Sequence, residues 1–395
     1  MMRIVLITNT PPPYRVPIFN RLAQWPGIDF HAVFCTQREP NRFWDLPAST
    51  CRQHFLRESF LTYHGRYIHH NPDVIPLLLR LKADVIITDG FNPTHLYAFL
   101  LARAKNIAHV AMTDGTHTSE QSLSLAHRIL RRLVYGGSRG FIAASEGGQR
   151  LYRSYGIDEH RCFYSWLCIS NDAFSPDPNV ERPFDFIFCG RMEPEKDPLF
   201  ALAVARETAR RLQRRIHLLF VGSGSLDETL RDRATAERHW VEVVFQGFAS
   251  QQALPLLYQS ARIFLFPSRA DVWGIVANEA CASGLPVIVS PYAGVAGELI
   301  VEGQNGYVRE LDAHAWADCA QTLLTDASQW QRFSQNSQIN VRRYNFDSAA
   351  AGIVDACRFA MDAQADTLKP NSPMTNQRPG EPHDPAASIA APPGS

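Results

Sequence analysis

Phe184-Asp185-Phe186-Ile187-Phe188-Cys189-Gly190-Arg191-Met192-Glu193-Pro194-Glu195-Lys196-Asp197 is the stretch that decides the fold. Its first six residues read as a buried strand. Gly190 ends the strand, and Arg191 and Lys196 bracket a turn before the next helix. A nearly continuous apolar strand followed by a helix is the unit of a parallel sheet covered on both faces. The same alternation runs onward through strands at 216–221, 241–245, 262–266 and 286–290. Upstream, residues 171–183 hold Pro176, Pro178 and Pro183 among polar residues and read as a linker. Before that linker the alternation is found again. Strands are expected at 4–7, 30–34, 84–88, 108–112 and 140–144, with helices at 17–25 and 94–104.

The expected class is α/β, with two Rossmann-like, doubly wound parallel-sheet domains facing across a cleft. Residues 1–170 form the first domain, 171–183 the linker and 184–345 the second. A C-terminal helix at 346–365 follows, with a return to the first domain as one option. Residues 366–395 are rich in Pro, Ser, Asn, Gly and Ala, and a disordered tail is expected there. A length of 395 residues suits two cores better than one. Ligands of such folds bind where the carboxyl ends of the strands meet a crevice.

Composition removes several classes. Lys plus Arg and Asp plus Glu are both 39, a balance that argues against bulk nucleic-acid binding. The eight cysteines show no CxxC pair and no zinc-like spacing, so buried reduced thiols are expected. The apolar run at residues 4–7 is short for a signal peptide, and Thr8-Asn9-Thr10 ends it. No stretch approaches the ~20 apolar residues of a membrane span. The expectation is a cytoplasmic protein, with any membrane contact peripheral.

Three elements of the second half carry chemistry. Arg191 and Lys196 at a strand's carboxyl end suit a diphosphate, one as a fork of donors and the other as a point charge. An exposed charged turn is the plainer reading. Val221-Gly222-Ser223-Gly224 lies at another strand end, where Gly222 and Gly224 let backbone amides approach a phosphate. The third element is Asp271-Val272-Trp273-Gly274-Ile275-Val276-Ala277-Asn278-Glu279. A helix begins near Gly274, and its free amides at Gly274, Ile275 and Val276 can receive a phosphate. The loop carboxylate of Asp271 suits sugar hydroxyls, and the helix carboxylate of Glu279 suits the vicinal hydroxyls of a ribose. Asn278 is open between the surface and a supporting role.

These blocks resemble the retaining GT-B glycosyltransferases of family 4, the glycosyl transferases group 1. The matching text is Gly190-Arg191 with Glu195-Lys196, Val221-Gly222-Ser223-Gly224, Val244-Phe245-Gln246-Gly247-Phe248, Leu256-Leu257-Tyr258-Gln259-Ser260-Ala261, and Asp271 to Glu279 followed by Ala280-Cys281-Ala282-Ser283-Gly284-Leu285-Pro286. Order and spacing agree over about 120 residues of this sequence. The resemblance implies Arg191 and Lys196 on the donor diphosphate, with the amides of Gly274 to Val276 assisting. It implies Glu279 on the ribose, Asp271 on the donor sugar and Gln246, Gly247 and Phe248 beside the base. Two departures stand out. Asp271 occupies a position where the family usually has Glu, which bears on donor identity. Ser170 stands where an Asp is commoner.

The first half is read through the same resemblance. Thr10-Pro11-Pro12-Pro13-Tyr14-Arg15 is similar to a Pro-Tyr-Arg subgroup linked to polysaccharide or lipopolysaccharide assembly. Tyr14, Arg15 and Asp89 are the acceptor-side candidates, with Arg15 open between a phosphate ligand and a helix start. Relatives place a His beside the transferring sugar, which makes His117 the catalytic candidate and Asp114 its competitor, together with Asp271. Residues 127–139 are basic and apolar at helical spacing, open between a peripheral membrane contact and an ordinary solvated face.

The expected activity is retaining transfer from a nucleotide diphosphate sugar to a hydroxyl of a glycan, lipid-linked or small-molecule acceptor. No covalent nucleophile is needed for front-face attack. The chain has no Asp-x-Asp, so no metal and no cofactor beyond the nucleotide sugar are expected. A sugar-nucleotide epimerase or hydrolase, and a non-catalytic nucleotide-sugar-binding subunit, remain as alternatives.

Overall fold

In the computed structural model, which describes residues 1–40, 48–63, 66–121 and 123–368, each half of the chain folds around a parallel sheet. The first half contains β1 (Met2–Thr8), α1 (Val16–Ala23), β2 (Ile28–Phe34), β3 (Arg52–Phe55), a hairpin of β4 (Phe60–Tyr63) and β5 (Arg66–His69), α2 (Val74–Leu81) and β6 (Val85–Thr88). It continues with α3 (Pro93–Ala104), β7 (Ala108–Thr113), α4 (Leu125–Gly137), β8 (Gly140–Ala143), α5 (Glu146–Ser154) and β9 (Cys162–Tyr164). Its sheet runs β3-β2-β1-β6-β7-β8-β9.

The second half contains β10 (Phe184–Cys189), α6 (Pro198–Leu212), β11 (Ile216–Val221), α7 (Asp227–Ala236), β12 (Val241–Gly247), α8 (Leu254–Gln259) and β13 (Ala261–Phe266). Then come α9 (Ile275–Ala282), β14 (Val287–Val289), β15 (Gly306–Val308), α10 (Ala313–Thr325), α11 (Ala327–Val341) and α12 (Phe346–Leu368). Its sheet runs β12-β11-β10-β13-β14-β15. In both sheets the order reverses beside the first strand, between β1 and β6 and between β10 and β13. Those are the switch points at which a doubly wound sheet opens a crevice.

The central strands carry the burial pattern that their apolar sequences imply. All seven residues of β2 are buried, as are all six of β7. Covering helices supply the rest of the core: Ile18, Phe19 and Leu22 of α1 pack with Ile4, Leu6, Phe30 and Phe34. The helix α12 lies on the first sheet, against α1, β7, β8 and β9, and brings Ile353, Val354 and Cys357 into the same cluster. It carries the chain through Leu368, and residues 369–395 of the expected tail lie outside the described residues. The stretch read as a linker opens with a single 3-10 turn, Asn171–Phe174. All eight cysteines are free thiols.

Candidate functional site

The two switch points face one cleft of about 310 Å³. From the second domain it is lined by Gly190, Arg191, Lys196, Asp271 and the residues Val272 to Val276, and from the first by Tyr14, Asp114 and Leu167.

Lys196 is placed by stitching between two loops. The backbone N–H of Arg269 donates to the Glu195 carbonyl at 2.7 Å, and the Ser268 hydroxyl donates to the same oxygen at 3.1 Å. The Arg269 guanidinium meets Asp197 at 2.6 Å. These contacts set the Lys196 ammonium 2.5 Å from Asp271 Oδ2, with the two side chains 19% and 18% exposed. The other carboxylate oxygen of Asp271 accepts from the Trp273 amide at 3.2 Å. The cation expected on phosphate and the carboxylate expected on sugar thus hold each other at the mouth of α9.

Gly274 precedes α9 with φ 103°, a left-handed conformation open to glycine. An added Cβ there would overlap the Phe266 ring. The first turn of α9 thus starts at the cleft, where Gly274, Ile275 and Val276 line the wall. The first amides of a helix lack intrahelical partners and favour an anion.

Glu279 lies one turn further along α9 and is buried. The Tyr258 hydroxyl donates to its Oε2 at 2.8 Å. Burial pushes its carboxyl up to about 7, against the Tyr258 hydrogen bond, which lowers it. It lies behind the wall formed by Cys189, whose thiol burial pushes up to about 12. Asn278 is fully buried and supports the site: its Oδ1 accepts from the Trp273 indole at 2.8 Å, and its amide donates to Leu167 O at 3.3 Å.

Gly222 and Gly224 serve the same wall from behind. An added Cβ at Gly222 would overlap the Gly190 carbonyl oxygen, and one at Gly224 would collide with the Met192 backbone. Glycine there lets Gly190 N–H reach Val221 O and Met192 N–H reach Ser223 O, each at 3.0 Å. Gln246 and Gly247 end the edge strand β12, and Phe248 just past it is 76% exposed.

On the first domain, Arg15 is buried, and its guanidinium is spoken for. It donates to Ser165 O and Oγ at 2.9 Å each and to Asp114 Oδ1 at 2.5 Å. Burial works against the charge, but Asp114 outweighs it and holds the guanidinium above its usual range. Arg15 therefore positions Asp114, which lines the cleft. His117 comes from the same loop but is exposed, with its amide bonded to Gly147 O at 3.3 Å, and it is not among the cleft-lining residues. Asp89 sits at the end of β6, 3.5 Å from the ring of buried His95. Desolvation, with help from Asp114, pushes its carboxyl up to about 7, and burial drives His95 down to about 3.

One interdomain group carries no signal in the sequence. Glu298, buried in the second domain, accepts from the Glu146 amide at the start of α5 at 2.9 Å. Burial pushes its carboxyl up to about 7. The two residues are 152 apart, beyond any spacing rule.

Residues 171–339 match the profile of the family described as Glycosyl transferases group 1. An uncharacterized glycosyltransferase of Methanocaldococcus jannaschii is 31% identical over 182 residues, covering 45% of each chain. A D-inositol 3-phosphate glycosyltransferase of Xylanimonas cellulosilytica is 26% identical over 278 residues, covering 65% of this chain and 63% of its own. The chain thus spans less than two thirds of either relative. Among solved structures, the Anabaena protein HepE in complex with UDP aligns over 91% of this chain and all of its own, with a TM-score of 0.71 at 16% identity. Sucrose-phosphate synthase from Thermosynechococcus elongatus aligns over 92% and 100%, with a TM-score of 0.68 at 18% identity. These likenesses establish the fold as GT-B.

Proposed function

We propose that the chain transfers a glycosyl group from a nucleotide diphosphate sugar to an acceptor hydroxyl, with retention at the anomeric carbon. The observation that carries the reading is a single cleft with Arg191, Lys196 and the first turn of α9 on one side and Tyr14 and Asp114 on the other. The family match over 171–339 supports it. Breaking the sugar–phosphate bond leaves charge on a diphosphate. The Arg191 guanidinium, the Lys196 ammonium and the first amides of α9 stand at the cleft where that charge would develop. Lys196 leaves Asp271 for the phosphate, which frees the Asp271 carboxylate for sugar hydroxyls. Glu279 takes the ribose hydroxyls, and the base lies along Gln246 to Phe248.

Front-face attack calls for no enzyme nucleophile. The acceptor oxygen bonds the anomeric carbon on the face that the diphosphate leaves, and its proton passes to the departing phosphate oxygen. Asp114, braced by Arg15, accepts from the acceptor hydroxyl and orients it. The acceptor class is a glycan, lipid-linked or small-molecule hydroxyl in surface polysaccharide or glycoconjugate assembly in the cytoplasm.

Thermal unfolding with a panel of UDP, GDP and ADP sugars tests this reading. At about a hundred times its dissociation constant, a ligand adds about 2.7 kcal/mol to stability. One donor class is expected to raise the melting temperature of the protein and to leave Lys196→Ala unmoved. A shift of equal size in Lys196→Ala would remove the phosphate assignment.

A further inference from the structure

The outer face of α4 carries an unpartnered apolar ridge. Leu125, Ile129 and Leu133 are 70%, 56% and 59% exposed. Residues four apart stack along one side of a helix, so the three form a continuous line. Arg128 and Arg132 are exposed in the adjoining row. The inner face is engaged. Val134 and Tyr135 are buried, Arg131 pairs with Glu120 at 2.6 Å, and its guanidinium lies 4.2 Å from the Phe91 ring centroid.

Charge is segregated around this ridge although the chain as a whole is neutral. Residues 121–145 contain Arg128, Arg131, Arg132 and Arg139 and no Asp or Glu. Residues 90–113 contain Arg103 and Lys105 and again no Asp or Glu. The two segments meet in space: α3 packs on α4, and Arg139 donates to Asn106 at 2.9 Å.

We propose that the outer face of α4 docks on an anionic phospholipid surface. An interfacial helix buries an apolar line to the depth of the acyl boundary, while flanking arginines snorkel to the headgroups. The negative potential of anionic lipid supplies the complement to the cations, at about 1 kcal/mol for each Lys or Arg near the surface. A second copy on the same face is disfavoured, because a two-fold contact sets the arginine row against its own image. Among the described residues no helix is long and apolar enough to cross a membrane, so the contact is peripheral. Glu120 follows Asp114 on one loop and Phe91 follows Asp89 on another, and α4 grips both. A docked helix therefore sets the acceptor side of the cleft beside the lipid.

The test is cosedimentation of the full chain with phosphatidylcholine vesicles, with and without phosphatidylglycerol. Binding is expected with phosphatidylglycerol and is released by salt. The double variant Arg128→Glu/Arg132→Glu is expected to bind at least about thirty-fold more weakly. Ile129→Asp is expected to weaken binding at every salt concentration. Both variants keep the wild-type melting temperature and the wild-type shift with a nucleotide sugar, so failure here leaves the transfer reading intact. No binding to anionic vesicles, equal binding by the folded variants, or a wild-type dimer that Ile129→Asp splits would each overturn the proposal.

Discussion

Lys196 and Asp271 pair in the cleft, and this pairing makes their proposed roles separable by measurement. On the proposed reading a diphosphate takes Lys196 from Asp271, whereas a sugar needs Asp271 free. Asp271→Asn removes the competitor and the sugar ligand together. Calorimetry is expected to find a nucleoside diphosphate bound at least as tightly as by wild type, and the nucleotide sugar bound about tenfold more weakly, the size of one lost charged hydrogen bond. Equal weakening of both ligands would mean that Asp271 serves the phosphates. Glu279 carries a pH signature. Burial holds its carboxyl near 7, and on the proposed reading ribose hydroxyls donate to its ionised form. Binding then releases a proton, and affinity falls by up to about tenfold per pH unit below 7. The probe is a nucleotide sugar, whose esterified phosphates do not titrate in this range. Glu279→Gln is expected to flatten the profile, and an unchanged slope in that variant would assign the proton elsewhere. That Arg191, Lys196 and Asp271 meet at one cleft was legible, because all three follow the carboxyl ends of apolar strands in a doubly wound pattern. The engagement of Arg15 was not legible, since its partner Ser165 lies 150 residues away.

At the scale of elements, apolar runs showed the central strands and missed those without one. β9 (Cys162-Phe163-Tyr164) and β15 (Gly306-Tyr307-Val308) have three residues each and no aliphatic run, whereas β14, equally short, was legible from Val287-Ile288-Val289. The hairpin β4–β5 lies outside the main sheet and mixes exposed Leu61 and Tyr63 with polar neighbours, so it carried no core signal. The start of α9 was legible to one residue, because Gly274 after the loop marks it. What the sequence did not show is why glycine is required. Gly274→Ala combines a left-handed φ with an overlap on Phe266 and should cost about 1–3 kcal/mol. The first turn of α9 must shift to relieve it, so donor affinity falls along with stability. Gly156→Ala is the control. It has φ 81° with nothing within 4 Å of an added Cβ, so only the backbone term of about 1 kcal/mol applies. Calorimetry should find donor affinity unchanged in Gly156→Ala. A loss as large as in Gly274→Ala would mean that the helix start is not the anion site.

At the scale of the molecule, the two parallel sheets were legible in the strand–helix alternation on either side of residues 171–183, but the contacts that join the halves were not. The Asn171 amide reaches Val341 O and Tyr344 O at 3.2 and 3.1 Å, and Arg343 stacks on Trp166 and Tyr344. Glu298 closes this seam by accepting from the first amide of α5. An anion at a helix start is favoured by the dipole, yet desolvation dominates here and the carboxyl sits near 7, above its ordinary value of about 4.3. A group raised in this way favours its protonated form in the folded chain. Its contribution is therefore fully present below about pH 4.3, is lost as pH rises toward 7 and is constant beyond. Glu298→Gln keeps an oxygen for the Glu146 amide and removes the ionisation. Chemical denaturation is expected to find the variant close to wild type at pH 4.5 and more stable by about 3 kcal/mol at pH 8. An equal difference at both pH values would mean that Glu298 ionises normally and that the seam is indifferent to its charge. A variant weaker at pH 8 would mean that the pairing with Arg343 outweighs the burial, and the seam would then tighten rather than loosen as the carboxylate forms.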